Sequence, residues 1–301
     1  MRLSGNILYH LVAFIVVAIW GSTFVFTKML LLDGLSPAQI FTLRFLIAYV
    51  LLLTYQLISH LSPLTSHLFC RNWRDELLMV LLGLTGGSVY FLAENAAMLY
   101  TTATNTSLIV CSCPLFTMLL VALIYRKTER FTKIQVMGSV LACLGMAVVV
   151  LNGHFVLHLS PLGDMLAFAA CLCWVVYSLL LKNLTQRYDT LFVTRKVFFY
   201  GLLTIIPYYL IVPEELSTLH FSFSILVNVL YLGVVASLFC YLVWNWVIKK
   251  LGAVVATNWV YFNPLVTILF AWWLLSEQIT PWLLLGTLMI LMGMYLCDRK
   301  K

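Results

Sequence analysis

The chain has 301 residues, of which 63% are hydrophobic and only 10% charged, with a mean hydropathy of +1.01. Soluble domains carry about 25% charged residues, so this composition cannot build a water-facing surface. With no long polar tract or Gly/Ser linker, it also leaves no soluble domain to hold a separate activity. The formal net charge of +7 sits on short segments between apolar runs, which accounts for it without nucleic acid.

Crossing a hydrocarbon core of ~30 Å takes roughly 20 apolar residues. Runs of that kind lie, in chain order, near 7–28, 38–58, 77–99, 103–125, 132–151, 162–181, 196–213, 223–248, 252–275 and 281–297. Their length and unbroken apolarity predict helices rather than the short alternating strands of a barrel. The expected fold is an all-α polytopic membrane protein with about ten transmembrane helices. The first run follows a lone Arg2, lacks a small-residue cleavage site and reads as an uncleaved span. With an even number of spans both termini share one side. Placing that side in the cytoplasm puts there all of the 18 Lys and Arg residues except Lys28 and Arg44, while the 152–162, 213–222 and 276–280 loops hold none. That asymmetry predicts cytoplasmic termini. Seven cysteines (Cys111, Cys113, Cys143, Cys171, Cys173, Cys240 and Cys297) fall inside spans. The pairs Cys111/Cys113 and Cys171/Cys173 point to different faces of a helix, so they read as packing groups rather than a metal site or a disulfide framework.

The chain repeats itself. Pro114-Leu-Phe-Thr is followed by Glu129, Gly138 and Gly145; Pro264-Leu-Val-Thr is followed by Glu277, Gly286 and Gly293, with Glu-to-Gly spacings of nine and then seven in both copies. Before the prolines the offset is a constant 150, pairing Gly83 with Gly233, Asn95 with Asn245 and Ala103 with Ala253. Trp20 and Lys28 stand as far apart as Trp174 and Lys182, and Thr42-Leu43-Arg44 resembles Val193-Thr194-Arg195. Each copy, 7–151 and 162–297, therefore carries five helices. Five is odd, so the second copy enters the membrane from the opposite side, the inverted-repeat plan of many secondary transporters.

Trp20-Gly21-Ser22-Thr23-Phe24, Arg44-Phe45, the Tyr100–Ile109 stretch before Pro114 and the two Glu…Gly…Gly tails resemble the EamA-type permeases of the drug/metabolite transporter superfamily. The resemblance runs from about residue 8 to 297. It implies a ten-helix carrier of a bacterial cytoplasmic membrane, often an exporter of amino acids, metabolites or toxic compounds. It does not imply a substrate.

Ionisable groups inside hydrocarbon cost about 2.5–3.5 kcal/mol on insertion scales, so each needs a reason. In the third span, helical spacing puts Gly83, Gly87, Tyr90, Glu94, Ala97 and Thr101 on one stripe, which turns Glu94 toward protein or a cavity. Glu94 reads as a carboxylate for proton or cation coupling, or for a substrate amine; the other reading is a structural ion pair or a hydrogen-bonded core acid. Arg44, at similar depth, has three open readings: pairing with Glu94, binding a substrate carboxylate, or snorkelling to the headgroups. Lys28 reads as snorkelling, Asp164 as a helix cap, and His10 as a packed polar residue or a proton relay. Trp244 replaces Glu94 in the second copy, which suggests one charged and one aromatic wall suited to a cationic or zwitterionic solute. Trp20, Trp174, Asn95, Asn245, Asn258 and Tyr261 join this candidate site, with Asn105 and Asn263 adding hydrogen-bonding groups. Pro114 and Pro264 read either as paired gating bends or as fixed kinks. Glu129 and Glu277 read as structural loop elements before capping Thr132 and Thr280, with Pro281 at the first helical position.

The leading expectation is a secondary carrier moving a small metabolite by alternating access. No Walker motif is present, so energy would come from an ion or solute gradient. No cofactor or metal is expected. An intramembrane enzyme has little catalytic material, with no His-Glu-x-x-His or Gly-x-Ser-x-Gly; a lipid translocator is the other alternative.

Overall fold

A computed structural model describes residues 3–58, 69–124, 132–151, 160–212, 222–276 and 279–298, and the described residues contain helix and connecting turns but no strand. The helices are α1 (Leu3–Leu32), α2 (Pro37–Ile58), α3 (Trp73–Tyr100), α4 (Ala103–Ile124), α5 (Lys133–Leu151), α6 (Pro161–Arg187), α7 (Thr190–Ile211), α8 (Phe223–Leu251), α9 (Ala253–Leu275) and α10 (Pro281–Asp298). Among the described residues eight of them, all but α5 and α10, are long and apolar enough to cross a membrane. Large apolar side chains such as Leu210, Phe223 and Trp273 stand at least 70% exposed on the outside of the bundle. Lipid, rather than water, is the solvent that tolerates such a surface.

Several helices outrun the apolar runs that announce them. α7 starts at Thr190 because Asp189 caps it, its Oδ2 accepting from the Leu191 amide at 3.0 Å. Arg195 and Lys196, at the edge of the 196–213 apolar run, therefore lie well inside a helix and are buried. The cap of α6 is Ser160, whose hydroxyl accepts from the Gly163 amide at 3.4 Å. Asp164 is not the cap; it sits in the first turn, where it still complements the helix dipole. Thr132 and Gln135 form a reciprocal capping box at α5, and Thr280 accepts from the Leu283 amide at α10. Glu129 and Glu277 lie outside the described residues.

Glycines set the closest helix contacts. A Cβ on Gly138 of α5 would stand 2.6 Å from the Gly293 carbonyl oxygen of α10, and one on Gly293 would stand 2.5 Å from the Gly138 carbonyl. Backbone meets backbone there, so nothing flexible can give way. Gly138→Val is expected to cost about 2 kcal/mol, in the range of overpacked cores, read as a lowered unfolding temperature in detergent. α3 and α6 make a second close pair, with Gly86 under the Tyr177 ring at 2.3 Å from a built Cβ.

Four helices are irregular. α3 carries a π segment at Leu84–Ser88 and α8 a longer one at Tyr231–Phe239. α4 breaks at Cys111–Ser112, and α9 passes through a 3₁₀ turn at Trp259–Phe262. Pro114 and Pro264 follow these two breaks directly. A proline has no N–H to give and its ring displaces the carbonyl four residues earlier, so the irregular backbone falls just before each one.

Candidate functional site

The irregular helices surround a small cavity lined from α1, α2, α3, α4, α6, α8 and α9. Trp20, Trp174 and Tyr241 form its aromatic wall, with Phe24, Phe91, Val110 and Val260 completing the apolar lining. Trp20 meets Trp174 edge-to-face at 5.2 Å between ring centroids and Tyr241 at 5.9 Å. The polar groups are Arg44, Glu94, Tyr90, Thr23 and Asn263.

Arg44 and Glu94 share the cavity without pairing. Among the described residues the ion pairs are Arg187–Asp75 and Lys196–Glu76, and neither involves Arg44 or Glu94. Arg44 donates through Nε to the Ser237 hydroxyl at 2.9 Å, and its guanidinium carbon lies 4.2 Å from the Phe91 ring centroid. It is 2% exposed, so it does not snorkel. Glu94 accepts from the Tyr90 hydroxyl at 2.6 Å, one helical turn away. The direct Arg44–Glu94 pair among the expectations is therefore absent: stacking and a serine hydroxyl hold the guanidinium, and a phenol holds the carboxylate. Both are left with bonding capacity that faces one apolar space.

The remaining candidates divide between this lining and the scaffold behind it. Trp20 and Trp174 line the cavity, and Trp20 donates to the Ala236 carbonyl at 2.9 Å. Trp244 does not line it; the indole is fully buried behind Trp20 at 5.0 Å, and its N–H has no partner among the described residues. Asn95 donates to the Pro37 carbonyl at 3.0 Å, tying α3 to the start of α2. Asn245 accepts from the Tyr177 hydroxyl and donates to Thr194, each at 2.8 Å, joining α6, α7 and α8. Asn258 is half-buried outside the lining. Tyr261 lies against a separate, smaller cavity with Cys111, Cys143 and Ile290. Lys28, expected to snorkel, instead donates to the Met98 and Thr101 carbonyls at 2.5 and 3.3 Å, satisfying the end of α3. Asn105 bridges to Asp164 at 2.7 Å, and His10 Nδ1 accepts from Trp259 at 3.0 Å.

Tyr241, Phe91 and Ser237 were not among the expected site residues. A signal for the first two exists: Tyr241 precedes Trp244 by three residues and Phe91 precedes Glu94 by three, helical spacing that places each near its partner's face.

A second polar cluster lies where α3 begins and α6 gives way to α7. Asp75 accepts from Arg187 at 2.9 Å and from the Tyr188 hydroxyl at 2.8 Å. Burial, then the bond to Asp75, pushes the Tyr188 phenol up to about 12, so it stays a donor. Glu76 accepts from Lys196, from Tyr200 and, at 2.6 Å, from the Cys70 amide. Lys196→Met leaves a half-buried carboxylate without its cation, and the expected cost is about 1.5 kcal/mol, checked by thermal unfolding of the purified variant.

A bundle of apolar membrane helices around an aromatic cavity with a few fixed polar groups is the arrangement of a small-molecule transporter. The sequence pattern of the EamA-like transporter family matches residues 7–151 and 161–297, and the chain belongs to that family. It is 26% identical to an uncharacterized transporter of Archaeoglobus fulgidus, over 95% of this chain and 96% of that one. It is also 26% identical to a probable amino-acid metabolite efflux pump of Salmonella typhimurium, over 94% and 92% of the two chains. A crystal structure with 19% identity superposes with a TM-score of 0.73, covering 96% of this chain and 97% of that one, a likeness of fold.

Proposed function

We propose that the protein is a secondary carrier that exports a small zwitterionic metabolite with an aromatic or apolar body, by alternating access through this cavity. The observation that carries the reading is an unpaired Arg44 and Glu94 facing one aromatic-walled space. A solute carboxylate fits the guanidinium fork and a solute ammonium fits Glu94 beside the aromatic faces. Glu94 is then the substrate-contact or coupling carboxylate, exchanging a solute amine for a proton or cation. The name of the Salmonella relative, an efflux pump for amino-acid metabolites, agrees with an outward direction.

In this reading α5 and α10 also cross, making about ten spans. The two copies, 7–151 and 162–297, are inverted five-helix repeats with both termini cytoplasmic in a bacterial cytoplasmic membrane. Equivalent residues meeting at one cavity support it: Trp20 with Trp174, Phe91 with Tyr241, and Val110 with Val260 all line it. The breaks before Pro114 and Pro264 are the bends that gate its two ends.

The test is a thermal-shift comparison of L-tryptophan, tryptamine and indole-3-propionate on the purified protein. Tryptophan alone should stabilise it clearly, because only tryptophan carries both charges. Equal stabilisation by the amine and the acid, or none by any of the three, contradicts the reading.

A further inference from the structure

The geometry points to the two π segments, Leu84–Ser88 in α3 and Tyr231–Phe239 in α8, as the flexing elements of the bundle, each clamped by side chains that also line the cavity. It rests on the transport reading for its purpose, though not for its test.

A π turn lengthens the hydrogen-bonded ring by one residue and leaves backbone groups poorly paired, which is why such turns collect at functional sites and bends. In α3 the backbone leaves the helical region at Gly87 (φ −133°, ψ −109°). The carbonyl of the neighbouring Gly86 is taken by the Tyr241 hydroxyl from α8 at 2.6 Å. In α8 the Ala236 carbonyl is taken by the Trp20 indole of α1 at 2.9 Å, and the adjacent Ser237 hydroxyl by Arg44 of α2 at 2.9 Å. Tyr241, Trp20 and Arg44 all line the cavity. Two side chains of the cavity lining, Tyr241 and Trp20, therefore hold backbone carbonyls of the irregular segments, and a third, Arg44, holds a side chain of the second segment.

The two segments are repeat equivalents, since 84–88 shifted by the sequence offset of 150 falls within Tyr231–Phe239. Close packing leaves α3 little bulk to move past: a Cβ on Gly87 would stand 3.2 Å from the Gly201 Cα and from the Phe45 ring. A solute carboxylate that takes the Arg44 fork competes with Ser237, and an aromatic ring that displaces Trp20 or Tyr241 frees a carbonyl. Either event releases a π segment to shift its hydrogen bonds by one residue, which re-aims the half-helix beyond it. Tyr241 is here a positioning residue: it acts through the α3 backbone.

Hydrogen–deuterium exchange of the full-length protein in lipid nanodiscs, without solute, tests this. Tyr241→Phe keeps the ring and deletes the hydroxyl; amides from 84 to 91 should exchange at least threefold faster, with α5 and α10 unchanged. Ser237→Ala should do the same for amides from 231 to 241, and it tests the second clamp should the first variant fold poorly. Wild-type exchange in these windows, or a rise shared by every helix, overturns the proposal. Because no solute is present, this result stands or falls separately from the identity of what is carried.

Discussion

Glu94→Gln is expected to abolish solute exchange, by roughly 10- to 100-fold or more, while the protein still reaches the membrane and unfolds near the wild-type temperature. The substitution preserves size and leaves Gln with an oxygen that can accept from Tyr90, the bond observed at 2.6 Å. It removes the charge. A hydrogen bond to a charged group contributes about 1.5–3 kcal/mol, and each 1.4 kcal/mol is about tenfold. Full exchange by Glu94→Gln in proteoliposomes would mean that Glu94 is a hydrogen-bonded core acid, since that role survives the change.

Arg44 gives the second large effect, and its double variant is the sharper part. Arg44→Ala loses the Ser237 bond and the stacking on Phe91, and exchange should fall by about tenfold or more. Arg44→Ala combined with Glu94→Ala should be at least as impaired as either alone. Were the two a structural ion pair, removing one would strand a buried charge and removing both would relieve it. Recovery of exchange in the double variant would contradict the separate roles assigned here.

Much of this architecture was legible in the sequence. Lipid as solvent followed from the scarcity of charge, and the helices followed from the apolar runs. The chain placed Glu94 on a glycine stripe, and the structure has it facing the cavity. What escaped the sequence were contacts between elements far apart in the chain. Lys28 looked exposed because nothing nearby in the sequence shows that the end of α3 offers it two carbonyls. Nothing near Arg195 and Lys196 in the sequence shows what they bond, because their partners, Gln56 and Glu76, lie more than a hundred residues away. Asn95 and Asn245 looked like site residues because a buried amide must bond something, and composition does not say whether that is a solute or the scaffold. Trp244 stood one layer behind the wall it was expected to form, a displacement of one side chain that periodicity does not resolve.

The most direct test of the account is counterflow. Proteoliposomes of the wild-type protein, preloaded with unlabelled L-tryptophan and diluted into a trace of labelled tryptophan without nucleotide, should accumulate label transiently above the external concentration. Empty proteoliposomes and those carrying Glu94→Gln should not. Accumulation that is absent with tryptophan, or uptake that never saturates and does not depend on the preload, contradicts a carrier working through the Arg44–Glu94 cavity.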